Sequence, residues 1–195
     1  MPAGRATGEG PGARPMRRVA IFGNAGGGKS TLARKLAALT GLPLFVLDKM
    51  QWRAGGAPVP HEDYLRAHAA AIAEDAWIID GYGTTATAWQ RFERADTLIH
   101  IDLPLAVHAW WVTKRLAGGL FVAPAGWPKG SPLWRSSLAS YRVLGACHRH
   151  LTPSYRALVV ASAATKRVHS LCSKREISAF LASIEQEVAI DATRP

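Results

Sequence analysis

The sequence predicts an α/β fold, in which helices cover both faces of a parallel β-sheet. Short apolar runs of strand length recur along the chain, and segments with the apolar spacing of helices lie between them. Strands that alternate with helices in this way are typical of parallel sheets. The 195 residues show no internal repeat, so we expect one domain of ordinary size with a sizeable core.

The predicted elements follow one another in a regular order. Runs such as "RVAIFG" and "WIID" predict strands at 18–23, 44–48, 77–80, 97–103 and 167–172. Helical spacing predicts helices at 29–41, 61–76, 104–116 and 175–188, with one or two more between 133 and 163. Gly41 is suited to end the first helix, and Pro104 is suited to the first turn of the helix after the fourth strand.

Two segments fall outside this pattern. Residues 1–16 are rich in Gly, Pro and Arg and lack the apolar core of a secretory signal, so we expect a disordered tail before a single domain at 17–190. Residues 118–132, "GGLFVAPAGWPKGSP", interrupt the alternation with glycines and prolines. Long segments of this kind inside a domain are often functional, which predicts a mobile lid within about 118–150.

The charge, the apolar runs and the cysteines of the chain indicate which partners and which cellular compartment to expect. The net charge of +10 favours an anionic partner, either a phosphorylated small molecule or nucleic acid. No apolar run reaches the length of a membrane span, so we expect no membrane association. Cys147 and Cys172 lack metal-ligand spacing and cannot form a disulfide framework, which favours reduced thiols in the cytoplasm. The oligomeric state stays open.

The segment "GNAGGGKS" matches G-x-x-x-x-G-K-[ST], and it lies between a predicted strand and a predicted helix. In that setting backbone N–H groups and the helix N-terminus surround phosphate. Lys29 is expected to reach the β- and γ-phosphates, and the hydroxyl of Ser30, or of Thr31, to bind Mg²⁺. The predicted nucleotide-binding residues are Gly23, Asn24, Ala25, Gly26, Gly27, Gly28, Lys29, Ser30 and Thr31.

Two further patterns bear on the nucleotide. The guanine-reading string N-K-x-D of GTPases does not occur, so ATP is the expected nucleotide. The run "WIIDG" ends in one aspartate followed by glycine, whereas ATP-driven engines place two acidic residues there. A plain ATPase is therefore disfavoured, because no catalytic glutamate is visible.

The segments "GNAGGGKSTLARKL", "LFVLD", "WIIDGY" and "ADTLIHIDLP", in this order, resemble the adenylate kinase-like family. The sequence is most similar to the family's branch of small DNA topology modulation proteins, over about residues 17–115. The resemblance implies a five-stranded parallel sheet in the order 2-3-1-4-5 and a lid that closes over ATP. It also implies that Asp80 holds Mg²⁺ through water.

The sequence departs from the adenylate kinases proper at two places. Their D-G is followed by Phe-Pro-Arg, whose arginine grips the AMP phosphate, whereas this chain has "DGYGTT". AMP is therefore expected to be a poor acceptor, and Arg91 or Arg94 would face the acceptor instead. Of the paired arginines that begin the family's lid, only Arg115 is present, because Gly119 takes the second position.

Other residues keep two interpretations. Asp48, after the second strand, either contacts the acceptor hydroxyl or the metal, or is a turn residue. Asp102 is expected to shape the start of a helix. Arg142 and Arg156 are either site cations or solvated residues on a helix, and Ser173 or Lys174 either contacts adenine or belongs to a turn. A place in the core or at a lid hinge is favoured over base stacking or single-stranded nucleic-acid binding for Trp52, Trp110, Trp111, Trp127 and Trp134.

These patterns together favour an ATP-dependent phosphotransferase that acts on a small acceptor and uses ATP and Mg²⁺. Its expected catalytic residues are Lys29, Asp80, Arg115 and Asp48, with Ser30 and Asp80 at the metal. The alternative is an ATP-binding regulatory or DNA-associated protein with little kinase activity, which the basic charge also fits.

Overall fold

The computed structural model describes residues 16–53, 56–119 and 133–193. Its centre is a five-stranded, fully parallel sheet in the order β2-β3-β1-β4-β5. This order confirms the predicted fold class. The strands are β1 (Arg18–Gly23), β2 (Leu44–Val46), β3 (Trp77–Asp80), β4 (Thr97–Ile101) and β5 (Arg167–Leu171).

Helices connect the strands and cover both faces of the sheet. They are α1 (Lys29–Thr40), α2 (Leu47–Gln51), α3 (His61–Ala73), α4 (Thr85–Arg94), α5 (Leu105–Gly119), α6 (Leu133–His150), α7 (Thr152–Ser162) and α8 (Lys174–Ala192). Gly41 ends α1 in the left-handed conformation, with φ of 71°, as expected for a C-terminal cap.

Each face of the sheet carries its own hydrophobic core. Alternate side chains of β1 point to opposite faces, so Ala20 and Phe22 join one cluster and Val19 and Ile21 the other. The Phe22 side contains Trp77, Phe92 and Tyr155 among others, and the Val19 side contains residues of α1 and α8. Burial on both faces explains why the central strands are almost uniformly apolar.

The structure differs from the predicted elements at two places near the carboxyl edge of the sheet. The second strand ends at Val46, and the chain turns at once into the short helix α2, because Leu47 is drawn fully into the core. Helix α4 was not predicted, since "TATAWQRFER" is poor in apolar residues. Thr84 starts it with a capping box, and Ala88 and Phe92 bury its inner face.

The predicted single domain and lid are only partly covered by the described residues. Most of the 1–16 tail and residues 120–132 lie outside them, while 133–163 forms the two helices α6 and α7. Among the described residues, no helix is both long and apolar enough to cross a membrane.

Candidate functional site

The segment between β1 and α1, residues 24–28, forms a loop at the carboxyl edge of the sheet; we call it the phosphate loop. Gly28 is the N-cap of α1 with φ of 83°, and no side chain caps the first turn. That turn also contains no acidic residue. Its backbone N–H groups and positive dipole end are therefore suited to an anionic ligand.

Neighbouring elements explain most of the glycines. A Cβ atom on Gly23 would lie 2.3 Å from the carbonyl oxygen of Ile101, and one on Gly26 would lie 2.9 Å from Cγ2 of Val112. At Gly27 a Cβ would lie 2.9 Å from Cε1 of His108. At Gly28 it would meet nothing within 4 Å. Protein thus packs closely against Gly23, Gly26 and Gly27, whereas the side of Gly28 is open.

Side chains also anchor the phosphate loop. Asn24, which is 5% exposed, donates from Nδ2 to the carbonyl of Leu144 in α6 at 3.1 Å. Its Oδ1 accepts a hydrogen bond from the backbone N–H of Ala25 at 2.8 Å. Nδ1 of the buried His108, in α5, donates to the carbonyl of Ala25 at 2.8 Å. Nζ of Lys29 donates to the carbonyl of Asn24 at 2.7 Å, across the loop.

Asp80, the last residue of β3, lies beside the start of α1. Its side chain is buried, and Oδ1 has no hydrogen-bond partner. The hydroxyl of Ser30 hydrogen bonds to the carboxylate, and Lys29 is close enough to act on its charge. Burial raises the pKa of Asp80 and the charge of Asp48 adds to this, while Lys29 and Ser30 oppose it. The carboxylate is therefore positioned for a cation that would complete its contacts.

Asp48 lies at the same edge but in a different element from the one predicted. It is an exposed residue in the first turn of α2 and does not close the second strand. A Cβ atom on Gly81 would lie 3.7 Å from its Oδ1, so its carboxylate borders the loop after β3. The fold thus brings Lys29, Ser30, Asp48 and Asp80 to one place, as parallel topology does for residues at strand ends.

The oxygen ligands fit Mg²⁺. Ser30 offers a hydroxyl and Asp80 a carboxylate with an unpartnered oxygen, and Mg²⁺ prefers one or two such protein ligands together with phosphate and water. No group of three or more His, Cys, Asp or Glu with metal-binding geometry occurs in the part of the chain that the structure describes. The metal expected here would therefore depend on the nucleotide for most of its ligands.

Arg91 does not face an acceptor, and that prediction is wrong. It is 1% exposed and donates to the carbonyls of Gly81, Tyr82 and Thr87 at 2.9 to 3.2 Å. Burial lowers its pKa to about 10. Arg94 is likewise engaged, because it donates to the carbonyl of Ile72 at 3.1 Å. Arg91 therefore fixes the loop after β3 through hydrogen bonds to its backbone carbonyls.

The remaining predicted cations lie on three helices, α5, α6 and α7. Arg115 lies within α5, and the structure describes only its backbone. Arg142 is exposed on α6. Arg156, on α7, forms two hydrogen bonds with Asp102, at 2.7 and 3.1 Å, and this contact raises its pKa. Asp102 therefore does more than shape the start of α5, since it links the end of β4 to α7.

A cavity of about 500 Å³ opens between the starts of α5 and α8. Its walls are apolar and aromatic, with Lys174 lying over the ring of Trp111 at 4.1 Å. Ser173 caps α8 by accepting from the N–H of Glu176. Trp110 is 65% exposed, so it is not part of the core. The lining residues are Leu103, Pro104, Ala106, Val107, Trp110, Trp111, Cys172, Ser173 and Lys174.

Sequence reasoning missed two residues at this site. His108 contacts a carbonyl 83 residues away in the chain, and no local motif signals such a contact. Arg34, exposed one turn after Ser30, acts on the charge of Asp80. Its spacing of four residues from Ser30 on a predicted helix could have indicated a shared face.

Comparison with known proteins gives a likeness in structure alone. No protein-family model matches the chain. No curated protein shows significant similarity to it in sequence. Shikimate kinase from Acinetobacter baumannii, in complex with shikimate, has a TM-score of 0.55 and 16% identity, over 92% of this chain and 96% of that one.

Two further solved structures align along most of the chain with lower scores. A gluconokinase from Sinorhizobium meliloti has a TM-score of 0.44 and 16% identity, over 92% of this chain and 99% of that one. A sugar kinase from Janibacter has a TM-score of 0.43 and 20% identity, over 90% and 94%. The resemblance to the DNA topology modulation branch stays a prediction. The sheet order, together with the likeness to shikimate kinase, shows that this chain has the fold of P-loop kinases.

Proposed function

We propose that this protein is an ATP-dependent phosphotransferase that phosphorylates a hydroxyl group of a small molecule. One observation carries the proposal: Ser30 hydrogen bonds to the buried, partly unpartnered Asp80 beside Lys29, at the uncapped start of α1. A phosphate-binding loop, two residues that would hold a metal and a lysine beside them suit phosphoryl transfer, because its catalysis is mostly positioning and charge stabilisation.

The nucleotide would extend from the phosphate loop to the cavity at the starts of α5 and α8. Its phosphates would meet the N–H groups at the start of α1, where the open side of Gly28 lets them approach. The adenine ring would enter the cavity between α5 and α8, whose aromatic walls suit a flat base. Helix α5 borders both the cavity and the phosphate loop, which supports this path.

The chain's own residues would act as follows. Lys29 would leave the carbonyl of Asn24 and donate to the β- and γ-phosphates. Ser30 and Asp80 would hold Mg²⁺, which neutralises charge on the phosphates. Asp48 would orient the acceptor hydroxyl and accept its proton. The acceptor oxygen bonds to the γ-phosphorus as the bond to the β–γ bridging oxygen breaks, and ADP leaves.

The loop after β3 supports an acceptor other than AMP. The position of the AMP-gripping arginine of adenylate kinases is Thr84, which caps α4. A side chain at Gly83 would collide with the hydroxyl of Tyr64, because a Cβ there would lie 2.1 Å from it. The shikimate found in the A. baumannii kinase further supports a small hydroxylated molecule as the acceptor.

The test is a screen for acceptor-dependent ADP release with Mg²⁺ and ATP. The acceptors are AMP, other nucleoside monophosphates, shikimate, sugars and sugar acids. We expect a hydroxylated metabolite to be the substrate and AMP to react poorly. Lys29→Ala should abolish transfer without unfolding the protein, while Lys35→Ala, an exposed change on the same helix, should have no effect.

Two results would contradict the proposal. Transfer to AMP at about 1–100 per second would return the protein to the adenylate kinases proper. The absence of transfer to any acceptor, together with DNA binding that falls steeply with salt, would favour the ATP-binding regulatory or DNA-associated alternative.

A further inference from the structure

Helix α5 contacts the phosphate loop along one stripe of its surface. His108 and Val112, which are four residues apart, lie on the same face of the helix. Both are buried, at 1% and 5% exposed, and they approach Gly27 and Gly26. The contact includes a directed hydrogen bond, because Nδ1 of His108 donates to the carbonyl of Ala25.

Helix α6 contacts the same loop from another direction. Asn24 donates to the carbonyl of Leu144, which is itself buried at 3% exposed. The hydroxyls of Thr113 and Tyr141 hydrogen bond to each other and so tie α5 to α6. The phosphate loop is therefore held by two helices that are also joined to each other.

The protonation state of His108 is consistent with this role. A carbonyl oxygen only accepts, so the ring must carry its hydrogen on Nδ1. Burial lowers the pKa of His108 and the charge of Lys29 lowers it further, while the bond to Ala25 opposes this. At neutral pH the ring is thus neutral and holds this tautomer. The other charged or titratable groups that act on it are Asp102 and His148.

We propose that His108 is a positioning residue that, together with Asn24, holds the phosphate loop in its binding shape before nucleotide arrives. The consequence for nucleotide rests on the function proposed above, whereas the effect on the loop does not. Neighbouring residues of α5, Val107 and Trp111, line the cavity proposed for the base. His108 thereby also fixes the loop relative to that cavity. A pre-organised loop binds phosphate more tightly because less conformational freedom is lost on binding.

The experiment compares two substitutions of His108. His108→Asn keeps an N–H donor near the position of Nδ1, while His108→Leu removes the donor and retains apolar bulk. His169→Leu, a substitution of a partly buried histidine on β5, is the matched control. The probes are ATP and inorganic tripolyphosphate, each with Mg²⁺, and their affinities are measured by calorimetry. Hydrogen exchange of the peptide covering residues 23–28 is measured without any ligand.

We expect His108→Leu to weaken both probes by about tenfold, which is the scale of one hydrogen bond. We expect the affinities of the Asn variant to stay within about threefold of wild type, which is about 0.7 kcal/mol on the same scale. Exchange at residues 23–28 should be faster in the Leu variant only. Unchanged exchange in the Leu variant overturns the proposal, as does equal acceleration in the Asn variant.

The exchange measurement separates this inference from the proposed function. If wild-type protein binds neither probe but the Leu variant still loosens residues 23–28, the proposed function fails while the positioning role stands. If wild type binds both probes and the Leu variant binds them equally well with unchanged exchange, the positioning role fails and the proposed function stands. If the Leu variant does not fold, the Asn variant decides: wild-type exchange and affinity support the role, and a loosened loop overturns it.

Discussion

At the scale of single residues, Asp80 destabilises the fold at a position that the proposed function needs. A buried carboxylate with an oxygen that lacks a hydrogen-bond partner destabilises the ligand-free protein, and burial raises its pKa for the same reason. The charge of Lys29 and the hydroxyl of Ser30 only partly offset this cost. Residues that cost stability in the free protein often serve a ligand, which agrees with the proposed metal role.

Asp80→Asn tests this conflict. The change keeps the size of the side chain and removes the charge, so we expect Mg²⁺-dependent transfer to fall on the order of 100-fold. The free energy of unfolding at neutral pH should rise, because a poorly compensated buried charge is gone. Magnesium titrations of ADP release and urea unfolding check the two effects. If magnesium dependence is unchanged, Asp80 is only a structural residue.

At the scale of elements, the phosphate loop packs closely against α5. Gly27 has no room for a methyl group, because His108 and Ile101 would lie 2.9 and 3.1 Å from its Cβ. A Cβ atom added to Gly145, within α6, would meet nothing within 4 Å. The two glycines thus differ in packing while both lie in elements that border the site.

Gly27→Ala should lower the free energy of unfolding by about 1–3 kcal/mol through overpacking. It should also weaken ATP binding, because the loop must move. Gly145→Ala should instead stabilise the protein by about 1 kcal/mol, since alanine is the better helix former. Chemical denaturation and ATP titration of both variants check this. Equal stability in the two would show that α5 yields easily to the loop.

A second contact between elements is made by Arg91, which joins α4 to the loop after β3. Its guanidinium serves three backbone carbonyls and lies 3.4 Å from Nε2 of His68. The loop follows Asp80 and borders Asp48. Arg91 therefore affects the acceptor side of the site through the backbone and not by contact with a ligand.

Arg91→Met should destabilise the protein by about 3 kcal/mol, because buried carbonyls lose their donors. It should lower kcat/KM for the acceptor and leave ATP affinity close to wild type, since Arg91 donates to the carbonyls of Gly81, Tyr82 and Thr87 and not to the phosphate loop. Arg66→Met, an exposed change on α3, is the control. A loss of ATP affinity as large as the loss in kcat/KM would show that Arg91 supports the whole site.

For the molecule as a whole, buried histidines govern the response to acid. Burial lowers the pKa of three histidines, His68, His100 and His169, to about 4. The unfolded chain has histidine pKa values near 6.5 and so binds more protons below that pH. The stability contributed by these neutral rings is complete above about pH 6.5 and is lost as pH falls towards 4.

We therefore expect the free energy of unfolding to fall by about 3–4 kcal/mol per pH unit near pH 5. His100→Phe keeps a ring stacked on Phe22, which His100 faces at 5.1 Å, and should remove about a third of this slope. Urea unfolding at several pH values measures both slopes. A free energy that is constant between pH 7 and 5 would contradict the prediction.

The sequence by itself determined the sheet, the phosphate loop and most of the helices. These features have local causes: runs of apolar residues, their spacing, and a glycine-rich motif between a strand and a helix. Lys29, Ser30 and Asp80 were predicted to act together, and they lie together. The sheet order followed only from the family resemblance, and it is confirmed.

Only the tertiary structure determined the roles of residues whose contacts lie far away in the sequence. The segment "QRFERAD" suggests that Arg91 is a surface cation. In the structure it lies on the buried face of α4 and donates to backbone carbonyls of the loop after β3. His108 has no motif, yet the path of α5 places it against Ala25. Asp48 was predicted at the end of a strand, but it lies in α2 because the chain turns after Val46 to bury Leu47. Such roles arise from packing between distant segments, and local sequence carries no record of that packing.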